Sequence, residues 1–368
     1  MRKTLMGLGA ALCLQGAMAQ EVAHVAAEPA GLKPWSANVN GRVAKQPDGS
    51  LLRQWPGTYF ETGFNGDEVY FRVGPGDVSL RLSVDGEAAI PLVKPAPGLY
   101  RVSHFKRSGT HRLRVAVASE SQSGPTAFGG FFAAAGTEPV ALPGRSRQIE
   151  FIGDSHTVGY GNTSTVRQCT PAEVWATTDT SQGVGALVAA HYDADYQVNA
   201  ISGRGVVRNY DGFAADTLPQ AYPFALFDRS QPADPPGWGP QVIAVSLGTN
   251  DFSTPLRAGE PWATREQLRE AYEAAFVRFA EQLHRRHPGA YIVLWIAAPD
   301  GSEVQTEVAR VVEQARRSGI ARIGFVPVPG LGMAGCDWHP SVADDRRIAD
   351  ALARHLDGQQ NIWPAGRH

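Results

Sequence analysis

Alternation of apolar and polar residues dominates the first third of the chain. Residues 78–84 read Val-Ser-Leu-Arg-Leu-Ser-Val, and residues 111–117 alternate in the same way, which is typical of strands with one buried face. Asp85-Gly86 follows the first of these runs, and this dipeptide between alternating runs is a strong hairpin signal. Short strands at regular spacing, separated by Gly and Pro turns, predict a β-sandwich of the jelly-roll type over residues 35–132.

The hydrophobic pattern changes after residues 133–147, a stretch rich in Gly, Pro and small residues that we interpret as a linker. Beyond it, β-branched and aromatic runs typical of buried strands alternate with segments whose apolar residues recur at helical spacing. This alternation predicts a second domain over residues 148–357, with a parallel sheet covered by helices on both faces. The runs occupy residues 149–152, 196–201, 242–247 and 291–296, and the helical segments occupy residues 268–283, 304–315 and 348–356.

The N-terminus has the composition of an export signal. A basic start, Met-Arg-Lys, precedes an apolar stretch over residues 5–16 that is too short to span a bilayer, and Ala-Met-Ala follows at 17–19. This pattern predicts a signal peptide over residues 1–19 that is cleaved after Ala19. A buried N-terminal helix would not explain the basic start or the small residues at the end. We therefore expect a secreted or periplasmic protein.

The overall composition argues against two classes of partner. The chain has 368 residues, of which 43% are hydrophobic and 19% are charged, with a formal net charge of -2. This balance provides no basic footprint for nucleic acid, and no basic amphipathic segment stands out for binding a membrane surface. The sequence contains no signal for an oligomeric state.

Signal cleavage would remove Cys13 and leave Cys169 and Cys336. Two cysteines in an oxidising compartment pair more often than they stay free, so we predict a disulfide between them. The alternative is a pair of buried thiols, because free cysteine is often simply buried. No Cys-x-x-Cys or His-x-x-x-His spacing occurs, and we therefore expect no metal site.

Candidate catalytic residues follow three of the predicted strands. Ser155, Gly203 and Asn250 each come just after such a strand, and the carboxyl ends of parallel strands meet at the edge where open α/β sheets bind ligands. Acyl transfer by serine needs a nucleophile, a base and donors for an oxyanion. We predict Ser155 as the nucleophile and His339, just before the last helix, as its base. The N–H groups of Ser155 and Gly203 and the Asn250 amide are the predicted oxyanion donors.

These blocks, in this order, resemble the SGNH hydrolase superfamily over about residues 148–356. The most specific are Gly-Asp-Ser at 153–155 and Gly-Thr-Asn-Asp at 248–251. Together with the jelly roll, Gly-Tyr-Gly-Asn at 159–162 and Cys-Asp-Trp-His-Pro at 336–340, they make the chain similar to carbohydrate esterase family 2. The resemblance implies a three-layer α/β/α, flavodoxin-like hydrolase domain. It also implies removal of acetyl groups from plant cell-wall polysaccharides such as xylan and mannan, without a cofactor.

One position departs from the common superfamily pattern. Many members have an Asp three residues before the His, where this chain has Cys336, and the nearest carboxylate here is Asp337. Either the Asp337 carboxylate or a main-chain carbonyl orients His339. We expect the carboxylate to contribute, because an acid so close to the base in a loop has few competing structural reasons to be there. Trp338, beside the base, is a candidate for stacking on a sugar ring.

The sequence thus predicts a serine esterase that deacetylates a polysaccharide or oligosaccharide. Two alternatives stay open: a lipase or thioesterase of the same superfamily, and a non-catalytic carbohydrate-binding protein that keeps an inactive hydrolase domain. The glycine-rich run at 330–335 also matches a dinucleotide-binding fingerprint. No helix follows it directly, as that fingerprint requires, so we interpret it as the loop that presents His339.

Overall fold

The structure is a computed structural model that describes residues 20–233 and 237–363. The predicted signal peptide, residues 1–19, lies outside these ranges. Within them, no helix is both long enough and apolar enough to cross a membrane.

Two antiparallel sheets form the N-terminal domain. Their strands are β1 (Glu21–His24), β2 (Lys33–Trp35), β3 (Asn38–Asn40), β4 (Ala44–Lys45), β5 (Leu51–Arg53), β6 (Tyr59–Asn65), β7 (Glu68–Val73), β8 (Ser79–Val84), β9 (Ile90–Val93), β10 (Gly98–Ser103), β11 (Thr110–Val117), β12 (Thr126–Ala133) and β13 (Glu138–Val140). The first sheet has the strand order β1-β10-β7-β12-β5-β4, with β2 paired to β12. The second sheet has the order β13-β6-β11-β8-β9, with β3 paired to β6.

The predicted alternation is visible in this β-sandwich. In β8, Leu80, Leu82 and Val84 are buried, whereas Arg81 and Ser83 are only half-buried. Strands β1 and β13 lie outside the range 35–132, and β13 lies in the stretch interpreted as a linker. The core between the sheets is largely aromatic and β-branched and includes Phe60, Phe64, Phe71, Val115 and Phe131.

A parallel sheet with the order β15-β14-β16-β17-β18 forms the C-terminal domain. This arrangement, together with the sandwich, confirms the predicted fold class. The strands are β14 (Arg147–Gly153), β15 (Ala194–Ala200), β16 (Val242–Ser246), β17 (Tyr291–Ile296) and β18 (Ile323–Pro327). The helices are α1 (Ser155–Val158), α2 (Pro171–Thr177), α3 (Val184–His191), α4 (Leu218–Ala221), α5 (Thr249–Phe252), α6 (Arg265–Arg286), α7 (Glu303–Arg317) and α8 (Val342–Asp357), and short 3₁₀ turns lie between some of them.

Helices cover both faces of this sheet, which explains why strands β16 and β17 are buried along their whole length and almost entirely apolar. On the central strand β14, Phe151 packs on one face with residues of α3 and α8, and Ile152 packs on the other with residues of α6 and α7. Because β14, β15 and β16 run parallel, the loops after them emerge at one edge. Ser155, Gly203 and Asn250 lie directly beyond these three strands, and His339 lies on the segment between β18 and α8.

The two domains share a buried boundary. Trp55 of the sandwich has no exposed surface and belongs to the same apolar cluster as Phe279 of the hydrolase domain. Arg42 forms a 3.1 Å ion pair with Glu150, and both side chains are about 2% exposed. Asn199 also donates to that Glu150 carboxylate at 2.6 Å. Since these contacts link β14 and β15 to the sandwich, the domain boundary fixes the strands that carry the site.

Candidate active site

Ser155 is the first residue of α1 and lies directly beyond β14. The chain turns tightly between β14 and α1, as shown by Gly153, where a Cβ atom would lie only 2.0 Å from Thr157 Oγ1. Asp154 caps the helix by accepting a hydrogen bond from the N–H of His156 at 3.1 Å. His339 Nε2 lies 2.9 Å from Ser155 Oγ, which is hydrogen-bonding distance for a nucleophile and its base.

Main-chain carbonyls hold the other nitrogen of His339. Nδ1 lies 2.9 Å from the carbonyl oxygen of Cys336 and 3.2 Å from that of Asp337. Asp337 and Trp338 have φ values of +50° and +57°, in the left-handed region that non-glycine residues rarely adopt. Strained backbone of this kind is found where the surrounding structure imposes it at functional sites. Here the strained turn directs the two carbonyls toward the imidazole.

The carboxylate of Asp337 does not orient His339, contrary to our expectation. Its Oδ2 instead accepts a hydrogen bond from the hydroxyl of Tyr160 at 3.1 Å. The left-handed turn separates the two groups, because it brings the carbonyl of Asp337 to the imidazole and its side chain to Tyr160. Burial and the Asp337 charge raise the pKa of Tyr160 to about 12, so Tyr160 remains a donor near neutral pH.

The two histidines at the site are both neutral near pH 7. Burial lowers the pKa of His339, although the two carbonyls and the Asp337 charge oppose this. Burial and the neighbouring His339 lower the pKa of His156 to about 3. The His156 ring stands edge-on to that of His339, with 5.4 Å between centroids. His339 is therefore available to accept a proton, while His156 forms part of the wall.

The predicted disulfide between Cys169 and Cys336 is present, with an S–S distance of 2.01 Å and a Cα–Cα distance of 5.5 Å. Cys336 is fully buried, and its carbonyl is one of the two at His339. The segment after Ser155 packs so closely against Cys336 that a Cβ atom at Gly161 would lie only 2.3 Å from the Cβ of Cys336. The disulfide thus ties the loop that carries His339 to the segment that follows Ser155.

Asn250 and Gly203 occupy neighbouring positions on the same sheet edge. The Asn250 amide donates to Asp154 Oδ2 at 3.1 Å and to the carbonyl of Arg204 at 2.9 Å. Gly203, with φ of +82°, directly precedes Arg204, so Asn250 also braces the loop that carries Gly203. Burial and the Asp251 charge raise the pKa of Asp154 to about 7.

A cavity of about 400 Å³ is lined by Ser155, His339 and Asn250, whereas Gly203 is not among its lining residues. Trp338 and Tyr210 also line it and are 57% and 52% exposed. Large apolar side chains exposed beside a polar cavity are typical of ligand-binding grooves. The sequence identified Trp338 by its position next to His339. Tyr210 lies in a short 3₁₀ turn between β15 and α4, where no periodicity could single it out.

Two protein families match the chain. The family described as "Carbohydrate esterase 2 N-terminal" matches residues 39–143. The "GDSL-like Lipase/Acylhydrolase family" matches residues 151–359.

Individual relatives agree with these matches. An acetylxylan esterase / glucomannan deacetylase of Cellvibrio japonicus is 41% identical over 90% of this chain and 93% of its own length. The cellulase/esterase CelE of Acetivibrio thermocellus is 29% identical over 86% of this chain and 39% of its own.

Solved structures show the same likeness. One is a carbohydrate esterase whose active site displays divergent catalytic and non-catalytic binding functions, with a TM-score of 0.84 and 39% identity over 90% of this chain and 100% of that one. Another is a family two carbohydrate esterase from Clostridium thermocellum in complex with cellohexaose, with a TM-score of 0.78 and 26% identity over 89% of this chain and 100% of that one.

Proposed function

The chain belongs to carbohydrate esterase family 2, with a hydrolase domain of the GDSL-like lipase/acylhydrolase family, and from this premise we propose that it removes O-acetyl groups from plant cell-wall polysaccharides or their oligosaccharides, such as xylan and mannan. It is a carboxylic ester hydrolase. The observation that carries the proposal is the 2.9 Å contact between Ser155 Oγ and His339 Nε2, at a cavity rimmed by exposed aromatic side chains.

In the first half of the proposed reaction, Ser155 Oγ attacks the acetyl carbonyl carbon while His339 Nε2 takes the hydroxyl proton. The carbonyls of Cys336 and Asp337 accept a hydrogen bond from Nδ1–H and stabilise the imidazolium that forms. The tetrahedral intermediate then expels the sugar oxygen, which receives the proton from His339. In the second half, His339 deprotonates a water molecule that attacks the acetyl carbon; the bond between that carbon and Ser155 Oγ then breaks, His339 returns the proton to Oγ, and acetate leaves.

Three donors would stabilise the oxyanion in both halves: the N–H groups of Ser155 and Gly203 and the amide of Asn250. The Asn250 amide already donates to Asp154 and Arg204, so it is preorganised and shares one of its hydrogens with the oxyanion as charge develops there. Because these two contacts fix the plane of the amide, the donor needs little reorientation during the reaction. Trp338, beside the base, would stack on the sugar that carries the acetyl group.

We also propose that the protein is exported. The basic, apolar and small-residue segments of residues 1–19 support this, and so does the disulfide between Cys169 and Cys336, since disulfides persist in oxidising compartments.

Acetate release tests the proposed function. The exported protein and its Ser155→Ala variant are compared on acetylated xylan, acetylated glucomannan and short acetylated oligosaccharides, and on nitrophenyl acetate, butyrate and octanoate. We expect release from at least one carbohydrate, a preference for acetyl among the nitrophenyl esters, and near-complete loss of activity in Ser155→Ala with an unchanged melting temperature. Faster turnover of octanoate would favour the lipase alternative. A folded wild-type protein without any turnover would favour the non-catalytic one.

A further inference from the structure

Side chains of the β-sandwich bind the main chain at the N-terminal end of the loop that carries Gly203. The N–H of Ser202, the residue before Gly203, donates to Glu120 Oε1 at 2.9 Å. The carbonyl of Ser202 accepts from Gln122 Nε2 at 3.3 Å. Both main-chain groups of Ser202 are therefore bound by side chains of the other domain.

The segment that carries Glu120 and Gln122 directly follows β11 and is itself anchored. The carbonyl of Ala118 accepts a hydrogen bond from the N–H of Thr180 at 3.1 Å, and the N–H of Ala118 donates to the carbonyl of Ser79 at 2.8 Å. Gln54 Nε2 donates to the carbonyl of Ser121 at 3.3 Å. Since the segment is fixed on both sides of Glu120, it can serve as a rigid support.

The hydrolase domain holds the other end of the same loop. The carboxylate of Asp251 accepts hydrogen bonds from three consecutive N–H groups, those of residues 206–208, at 2.9 to 3.2 Å. Asn250 binds the carbonyl of Arg204. Among the described residues, the Ser202 main chain, which lies between these contacts and the end of β15, is hydrogen-bonded by Glu120 and Gln122 of the sandwich.

We propose that Glu120 and Gln122 are positioning residues for ester hydrolysis, which fix the main chain of Ser202 so that the N–H of Gly203 faces the oxyanion. This inference rests on the proposed function, because it assumes that Gly203 is an oxyanion donor. Neither side chain touches the reacting atoms. Their effect is geometric, since a donor stabilises the transition state only when it is held close to the productive geometry. The β-sandwich thus completes the active site of the neighbouring domain.

The test is the kinetics of Glu120→Ala and Gln122→Ala on nitrophenyl acetate, a small ester that does not need a sugar-binding surface. Losing one oxyanion donor outright costs about 10²–10³ in kcat. A displaced donor should cost less, so we expect kcat to fall by about tenfold to a hundredfold for Glu120→Ala, with KM within about twofold. An interaction realised only in the transition state gives this pattern. Glu120→Gln keeps an acceptor oxygen at the same place and should recover most of the rate.

Tyr59→Phe is the matched control. The Tyr59 hydroxyl also donates across the domain boundary, to Asp195 at 2.8 Å, but Asp195 lies near the start of β15 and Ser202 lies beyond its end. We expect this control to lower the melting temperature and leave kcat unchanged. If Tyr59→Phe and Glu120→Ala lower kcat equally, the effect is general loosening of the boundary and the proposal is wrong.

The outcomes separate this proposal from the proposed function. Wild-type kcat in both Glu120→Ala and Gln122→Ala, with Ser155→Ala inactive, would overturn the positioning role and leave the esterase mechanism intact. Conversely, an impaired Glu120→Ala in a protein that releases no acetate from any carbohydrate would support the positioning role and overturn the substrate assignment. If Glu120→Ala does not fold, Gln122→Ala takes its place, with a lowered kcat expected and a wild-type kcat overturning the positioning role.

Discussion

Replacing Asp337 distinguishes the two ways in which His339 could be oriented. The structure places main-chain carbonyls at 2.9 and 3.2 Å from Nδ1, and no side-chain substitution removes them. Asp337→Asn removes a charge and weakens the hydrogen bond from Tyr160. One such hydrogen bond contributes about 0.5–1.5 kcal/mol, so we expect kcat to fall by about tenfold at most. Loss of an orienting carboxylate in a serine protease triad costs about 10⁴.

Asp337→Ala adds a backbone effect that Asp337→Asn avoids. Position 337 has φ of +50°, and asparagine tolerates the left-handed region far better than alanine. The alanine variant should therefore have the lower melting temperature and the lower kcat of the two. The Asp337 charge also raises the pKa of His339. Both variants should therefore shift the acid limb of the rate profile to lower pH.

The assay is kcat on nitrophenyl acetate for wild type, Asp337→Asn, Asp337→Ala and His339→Ala. A small ester is required because Asp337 also lines the cavity, and a sugar substrate would mix its binding with its effect on the base. A thousandfold loss in both Asp337 variants, comparable with that of His339→Ala, would refute orientation by the carbonyls.

Three further predictions follow from the site. Asn250→Ala should lower kcat by about a hundredfold or more, the usual cost of losing an oxyanion donor, and an effect on KM alone would show that Asn250 binds the ground state instead. The acid limb of the pH profile of kcat/KM should have its midpoint below pH 6.5, because burial lowers the pKa of His339 and only the neutral imidazole can take the Ser155 proton. A midpoint above pH 6.5 would contradict this. Reduction of the Cys169–Cys336 disulfide should lower kcat while the far-UV circular dichroism stays unchanged, because Cys336 carries one of the carbonyls at His339. Full activity after verified reduction would show that the disulfide does not help to position His339.

Local patterns were sufficient to predict the fold class, to place Ser155, Gly203 and Asn250 just past strands at one sheet edge, and to place His339 just before the last helix. Each follows a strand or precedes a helix that periodicity alone reveals. The orientation of Asp337 was not predictable, because it depends on left-handed φ values at two consecutive non-glycine residues. Strands β1 and β13 were missed since each is only three or four residues long, too short to show alternation.

Residues that act through the other domain carried no local signal either. Glu120 meets Ser202 across 82 positions of sequence, and nothing in the composition of its turn distinguishes it from an ordinary solvated acid. Such contacts depend on how the two domains pack, which single-sequence patterns do not encode.

The placement of Trp55 has a consequence for how the chain reaches its final state. The sandwich is synthesised first, yet Trp55 packs in a cluster that includes residues of α6 and α7, and Arg42 pairs with Glu150. A nascent chain that ends before residue 148 therefore presents an uncovered indole and an unpaired guanidinium at what will become the boundary. We expect a fragment of residues 20–147 to bind a hydrophobic dye that the full chain does not bind, and equal dye binding would argue against this. The sandwich thus leaves the ribosome before the hydrolase domain, and its surface is complete only when the helices of that later domain have been synthesised.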